Sequence, residues 1–212
     1  VRIDMPGFGE SPEHPEHQPG SAADAALLIE VIAALQIEQP VLVAHSMGGA
    51  VAVRAATEAP SRVAGLALLA VPGLSPHQHL RRIPVRPISR AFRAPAARRL
   101  FAPLASRAGA AAGFPRSIPV SALYRSVDWA ASYDPVDHAA RCRRITQPCL
   151  LAYAADDVLV EPAIGDALGD VLPSGPRLRF SSGGHNVQKT QAVAVGEALI
   201  GFLDAMAPRA VG

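Results

Sequence analysis

The ten residues Val41 to Ala50, VLVAHSMGGA, constrain this chain more than any other stretch. Val41, Leu42, Val43 and Ala44 form a short apolar run suited to a parallel strand covered on both faces. Gly48 and Gly49 then open a second apolar stretch, AVAVRAATEA, with helical character that stops at Pro60. A buried strand that passes this abruptly into a helix leaves Ser46 in the turn between them. There its backbone is strained, its hydroxyl is exposed, and small neighbours let strand and helix approach closely. The small neighbours here are Ala44 and Gly48, so the pattern reads A-x-S-x-G. Two readings fit the segment: a serine presented for nucleophilic chemistry, or a serine that merely caps a helix.

The rest of the chain repeats the same grammar. VRID at the start reads as a strand, and MPGFGESPEHPEHQPGS as a long glycine and proline loop. Ser21 is placed to cap a helix, with Asp24 three positions later, and the apolar positions Ala25, Leu28, Ile29, Ile32 and Ala33 carry that helix to Leu35 or Gln36. GLALLAV, residues 65 to 71, is another apolar strand. Alternation of such strands with helices predicts an α/β fold of three layers around a mostly parallel sheet with right-handed crossovers.

From Pro72 to Ala140 the pattern breaks into a stretch rich in Pro, Ala and Arg, with helices expected near Ile88 to Phe101 and Ser121 to Ala131. It then resumes with the strand PCLLAY, a helix over Ala163 to Leu168, the strand PRLRF and a closing helix over Thr190 to Phe202. The organisation expected is therefore a core in two parts, residues 1–71 and 141–212, interrupted by a mainly helical cap over residues 72–140. An insertion of that kind belongs over the carboxyl ends of the strands, where open α/β sheets bind ligands.

Composition narrows the function classes. Half of the 212 residues are apolar but only 5% are aromatic, so Ala, Leu, Val and Ile must fill the core. A net charge of +2, from 20 basic and 18 acidic side chains, argues against a dedicated nucleic-acid binder. No apolar run approaches the roughly 18 residues of a membrane span, and no secretory signal opens the sequence. Cys142 and Cys149 lack zinc-ligand spacing; a disulfide between them is one reading, and buried thiols fit Cys149 better, since it starts a strand. Sparse cysteine use leans toward a cytoplasmic protein.

A serine hydroxyl needs a base, and the base an orienting acid. His185 in SSGGHNV follows the last expected strand, where Gly183 and Gly184 let a loop carry its imidazole back toward Ser46. The other histidines fit less well: His45 adjoins Ser46 and should point elsewhere, His14 and His17 lie in the proline-rich loop, His77 and His79 in the cap, and His138 after it. The acid should follow the strand ending near Tyr153. Asp157 is the choice, with Asp156 a salt-bridging or solvated neighbour. Asp156, Asp157 and Glu161 form no calcium-loop pattern, so neither metal nor cofactor is expected.

The chain order serine, acid, histidine, together with AHSMGG, GGH and the opening DMPGFGES, resembles the α/β-hydrolase superfamily, in its cap-bearing, serine esterase-like branch. In that branch a D-x-x-G-x-G-x-S loop approaches the active site; here it is Asp4, Gly7, Gly9 and Ser11. The resemblance implies hydrolysis of a carboxylic ester through an acyl-enzyme on Ser46, with the N–H of Met47 as one oxyanion donor. Thioesterases, carbon–carbon bond hydrolases and acyltransferases share the arrangement, and a non-catalytic binding module can share the fold. It also implies earlier strands and a second oxyanion loop ahead of DMPGFGES. The expectation is an N-terminally incomplete fold, completed by a preceding segment or a companion chain.

Between Ala59 and Val127 there is no Asp or Glu but there are eleven arginines, from Arg62 to Arg125. Three readings fit this run: a solvated cap surface, a dock for an acidic carrier protein, or attraction to an anionic lipid surface or acidic small substrate. Phe92, Leu100, Phe101, Leu104, Phe114 and Trp129 are among the side chains that either line an acyl pocket or pack the cap on itself.

Overall fold

Along strand β2 (Gly65–Leu69), Leu66 and Leu68 enter one buried cluster, while Ala67 and Leu69 enter another. Strand β3 (Cys149–Ala154) does the same, with Cys149, Leu151 and Tyr153 on one side and Leu150, Ala152 and Ala154 on the other. Because side chains alternate along a strand, a strand apolar throughout needs cover on both faces. The computed structural model, which describes residues 1–111 and 116–207, supplies that cover.

The sheet has four parallel strands in the order β1 (Val41–His45), β2, β3 and β4 (Arg177–Phe180). Its register sets Val41 opposite Gly65, Leu66 opposite Cys149 and Leu151 opposite Arg177. On one face lie Ala52, Val53 and Ala56 of α2 (Met47–Glu58), Cys142 of α7 (Pro135–Cys142) and Leu168 of α8 (Pro162–Val171). On the other lie Val187 of α9 (Val187–Thr190) and Val195 and Phe202 of α10 (Ala192–Met206). These three layers agree with the expected α/β architecture. One strand departs from its double-cover reading: Val43 is 52% exposed, on β1, which pairs only with β2 among the described residues.

By its internal contacts the chain forms two compact units. The sheet belongs to the one comprising Ala25–Gln78 and Asp134–Gly212. The other comprises Val1–Asp24 and His79–Tyr133. After the short α3 (Gln78–Arg82), α4 (Val85–Ala91) and α5 (Pro95–Ala111) of the latter both pack on α6 (Val120–Ser132), which buries Ala122, Leu123, Tyr124, Arg125 and Trp129. Gly109 of α5 lies so close to α6 that a β-carbon there would stand 2.7 Å from Leu123. Ser89 Oγ donates to Asp128 across 2.7 Å, and the Tyr124 hydroxyl donates to the carbonyl of Arg98. Phe114 lies outside the described residues.

Two local expectations are corrected here. Residues 1–5 form no strand; instead Asp4 closes a loop, accepting the Glu10 N–H at 3.1 Å, while Ser11 Oγ donates to the Asp4 carbonyl at 2.8 Å. Gly9, at φ +53°, presses against that carboxylate, and a β-carbon there would lie 2.1 Å from its oxygen. The Asp-x-x-Gly-x-Gly-x-Ser spacing is thus a self-closing turn. Ser21 and Asp24 do not make a capping box either. Helix α1 (Ser21–Ala34) already includes Ser21, and the buried Asp24 carboxylate accepts from Trp129 Nε1 at 2.8 Å and pairs with His17 Nε2 at 2.7 Å. Long-range partners outcompete the local backbone for that acid.

Candidate active site

Ser46 sits between β1 and α2 with φ 53° and ψ −126°, a backbone conformation that costs a non-glycine residue about 1–3 kcal/mol. The surroundings hold it there. Its N–H donates to the Leu69 carbonyl at 3.1 Å, extending the β1–β2 ladder, and its carbonyl accepts from Gly49 N–H at 2.9 Å. Its side chain makes no capping bond to α2, so the plain-cap reading of this serine does not hold. Close approach of α2 depends on Gly49 rather than on the expected Gly48. A β-carbon at 49 would lie 2.4 Å from Val71, whereas one at 48 meets only Ala44, at 3.8 Å.

Instead the Ser46 hydroxyl faces an imidazole. His185 Nε2 lies 2.8 Å from Ser46 Oγ, and His185 Nδ1 lies 2.9 Å from Asp157 Oδ2. Asp157 follows β3 by three residues and is 5% exposed. Burial pushes its carboxyl pKa up, but the hydrogen bonds from His185 and from the N–H groups of Val160 and Leu159 outweigh this and hold it below the ordinary value. Those two N–H groups reach its other oxygen, Oδ1, at 3.0 and 2.8 Å. An ionised Asp157 accepts only, so Nδ1 carries the imidazole proton and the Nε2 lone pair faces the serine hydroxyl.

The loop carrying His185 is tied down along its length. Gly184 takes φ +61° and donates its N–H to Asp156 Oδ1 at 2.7 Å. Thr190 Oγ1 donates to the Gly183 carbonyl and Gln191 Nε2 to that of Ser182, at 2.7 and 2.8 Å. His45 Nε2 donates to the carbonyl of His185 itself, at 2.7 Å. Asp156 is exposed to solvent, as expected, and also anchors the loop; its hydrogen bond from Gly184 lowers its pKa. His45 does not point away from the site. It spans 140 residues of sequence to hold the backbone of His185, and partial burial lowers its pKa. No local pattern marks such a pairing.

Met47 is the first residue of α2, where helix N–H groups lack partners in the preceding turn and the helix dipole is positive. Cys142 and Cys149 are free, buried thiols, each pushed up to about 12 by burial, and so are poor nucleophiles. Among the described residues, no cluster of three or more His, Cys, Asp or Glu side chains is arranged to hold a metal ion. None of the described helices is long and apolar enough to cross a membrane.

A family model described as the alpha/beta hydrolase fold matches residues 1–94. No curated protein sequence matches the chain. Solved structures do. An esterase from Thermogutta terrifontis, 20% identical, superposes with a TM-score of 0.68 over 97% of this chain and 79% of its own. A bromoperoxidase from Bacillus anthracis gives 0.73 at 17% identity, over 95% and 80%. A meta-cleavage product hydrolase from Pseudomonas fluorescens gives 0.63 at 16% identity, over 95% and 78%. At such identities these likenesses speak to the fold, which is the α/β-hydrolase fold.

Proposed function

We propose that this chain, an α/β-hydrolase by fold, is a serine hydrolase that cleaves carboxylic esters through an acyl-enzyme. The observation that carries the reading is the unbroken relay from Asp157 through His185 to Ser46, with both hydrogen bonds under 3 Å. Chain order supports it as well: the nucleophile follows the first strand, the acid the third and the histidine the fourth.

In this reading His185 Nε2 takes the Ser46 proton as Oγ attacks the ester carbonyl carbon. The carbonyl oxygen gains negative charge and accepts the N–H of Met47, at the positive end of α2. Collapse of the tetrahedral intermediate breaks the carbon–oxygen bond, and the imidazolium returns its proton to the leaving alkoxide. Water then attacks the acyl-enzyme, with His185 again as base, and releases the acid and Ser46. Asp157 holds the tautomer throughout and stabilises the imidazolium without taking its proton. None of these steps calls for a cofactor.

The same nucleophile serves thioesters, carbon–carbon bonds and acyl transfer, so an ester is the first substrate class to test. The wild-type protein and Ser46→Ala should be compared on a panel of p-nitrophenyl esters of increasing acyl length. Turnover by the wild type and none above background by the variant is the expected result. Equal turnover by both would remove Ser46 from the reaction.

A further inference from the structure

Helix α5 presents two sides, one packed on α6 and one largely exposed, where only Phe101 makes a ring contact, with Phe92 at 6.1 Å between centroids. Arg98, Ala102, Ala105 and Gly109, spaced by three and four residues, form a single stripe. On it Gly109 meets Leu123 of α6, while Arg98 lies 5.5 Å from the centre of the Tyr124 ring. A second stripe runs through Leu100, Phe101 and Leu104, which are 74%, 41% and 61% exposed. Three large apolar side chains on one and a half turns of a convex helix are an unusual thing to leave in water.

Charge says what covers them. Arg99 and Arg107 border the stripe on α5, and both are exposed. Arg82, Arg86, Arg90, Arg93 and Arg116 of the same compact unit are exposed too, and no acidic residue occurs anywhere from Ala59 to Val127. The whole unit holds eleven arginines against six acids, so the complement is anionic. All of these cations are arginines; a guanidinium is weakly hydrated and pairs in a fork with phosphate oxygens. An acidic protein would meet the charge but needs a shaped recess for Leu100 and Leu104. Lipid acyl chains accept apolar side chains of any shape.

We propose that the outer face of α5 docks on an anionic lipid bilayer, with Leu100, Phe101 and Leu104 entering the headgroup boundary and Arg99 and Arg107 pairing with lipid phosphates. The surface does not depend on the reaction proposed for Ser46, and its test does not use turnover. The full chain is sedimented with vesicles of phosphatidylcholine alone and of phosphatidylcholine mixed with phosphatidylglycerol, at low and high salt. The expected result is binding to the mixed vesicles only, reversed by salt.

Two paired variants, with folding checked by circular dichroism, separate the contributions. Arg99→Gln with Arg107→Gln should weaken partitioning about thirtyfold, from roughly a fivefold loss for each arginine near the surface. Leu100→Glu with Leu104→Glu should abolish it at unchanged helicity. Absence of wild-type binding, equal binding to neutral vesicles, or full binding by the Leu100→Glu/Leu104→Glu variant would each overturn the proposal. Retention of the wild type on poly-L-glutamate without vesicle binding would reassign the face to an acidic protein.

Discussion

His45 Nε2 donates a hydrogen bond to the carbonyl oxygen of His185 across 2.7 Å, and the two imidazole centroids stand 4.8 Å apart. The residue just before the candidate nucleophile thereby holds the backbone of the candidate base. A proton transfer between Ser46 and His185 depends on their mutual placement to within a fraction of an ångström, and this bond joins their two loops directly.

Replacing His45 by phenylalanine keeps a ring but removes the donor. His45→Phe is expected to lower kcat about five- to tenfold with KM little changed, in line with the roughly 1 kcal/mol of one hydrogen bond. His45→Gln, which can still donate, should recover part of the loss. Steady-state kinetics on a p-nitrophenyl ester checks both, and equal rates for all three proteins would show that the contact is incidental.

Asp157 sets the tautomer of His185, so Asp157→Asn should leave the fold intact and present the wrong imidazole nitrogen to Ser46. A loss on the order of ten-thousandfold in kcat is expected. The depressed carboxyl pKa has a matching consequence for stability. The contribution of Asp157 is complete above the ordinary aspartate range and disappears only as pH falls through its lower folded value. Urea titrations of the wild type and Asp157→Asn in acid should therefore converge only below that range.

His138 is buried, and Nε2 lies 3.1 Å from the Pro72 carbonyl; burial lowers its pKa from the ordinary 6.5. The unfolded chain then binds a proton more readily than the folded one, so stability is full above pH 6.5 and declines as pH falls below it. His45 adds a slope of the same sign. His138→Gln should flatten the decline measured by urea unfolding between about pH 8 and about pH 5. A slope identical to that of the wild type would refute the assignment.

Adjacent glycines in α2 should behave in opposite ways. Gly49→Ala drives a β-carbon to 2.4 Å from Val71 and is expected to cost about 1–3 kcal/mol through overpacking. Gly48→Ala meets nothing nearer than 3.8 Å and should be neutral or stabilising by up to about 1 kcal/mol, since alanine favours the helix. Chemical denaturation of the two variants decides between them.

These contrasts also show what was legible in the sequence. The short, unbroken apolar runs of β2 and β3, alternating with helical patterns and turn residues, made the parallel sheet and its flanking helices readable. Ser46, Asp157 and His185 were readable because each follows a strand in the order such a site demands, and the structure brings all three within hydrogen-bonding reach. What escaped were interactions decided by distant partners. Asp24 looked like a local cap but bonds to Trp129, 105 residues away. VRID has strand propensity, but Asp4 is drawn into a loop by Glu10 and Ser11. The role of His45 is invisible in the sequence because its partner is a backbone carbonyl, which leaves no mark there.

The central claim is that Ser46 carries the acyl group, and capture of that intermediate tests it most directly. The protein is mixed with a p-nitrophenyl ester, quenched in acid within the first turnover, and digested for peptide mass spectrometry. The expected result is a burst of p-nitrophenol matched by the acyl mass increment on Ser46, with neither seen for Ser46→Ala. Turnover without a burst, or an acyl adduct on any residue other than Ser46, would contradict the account.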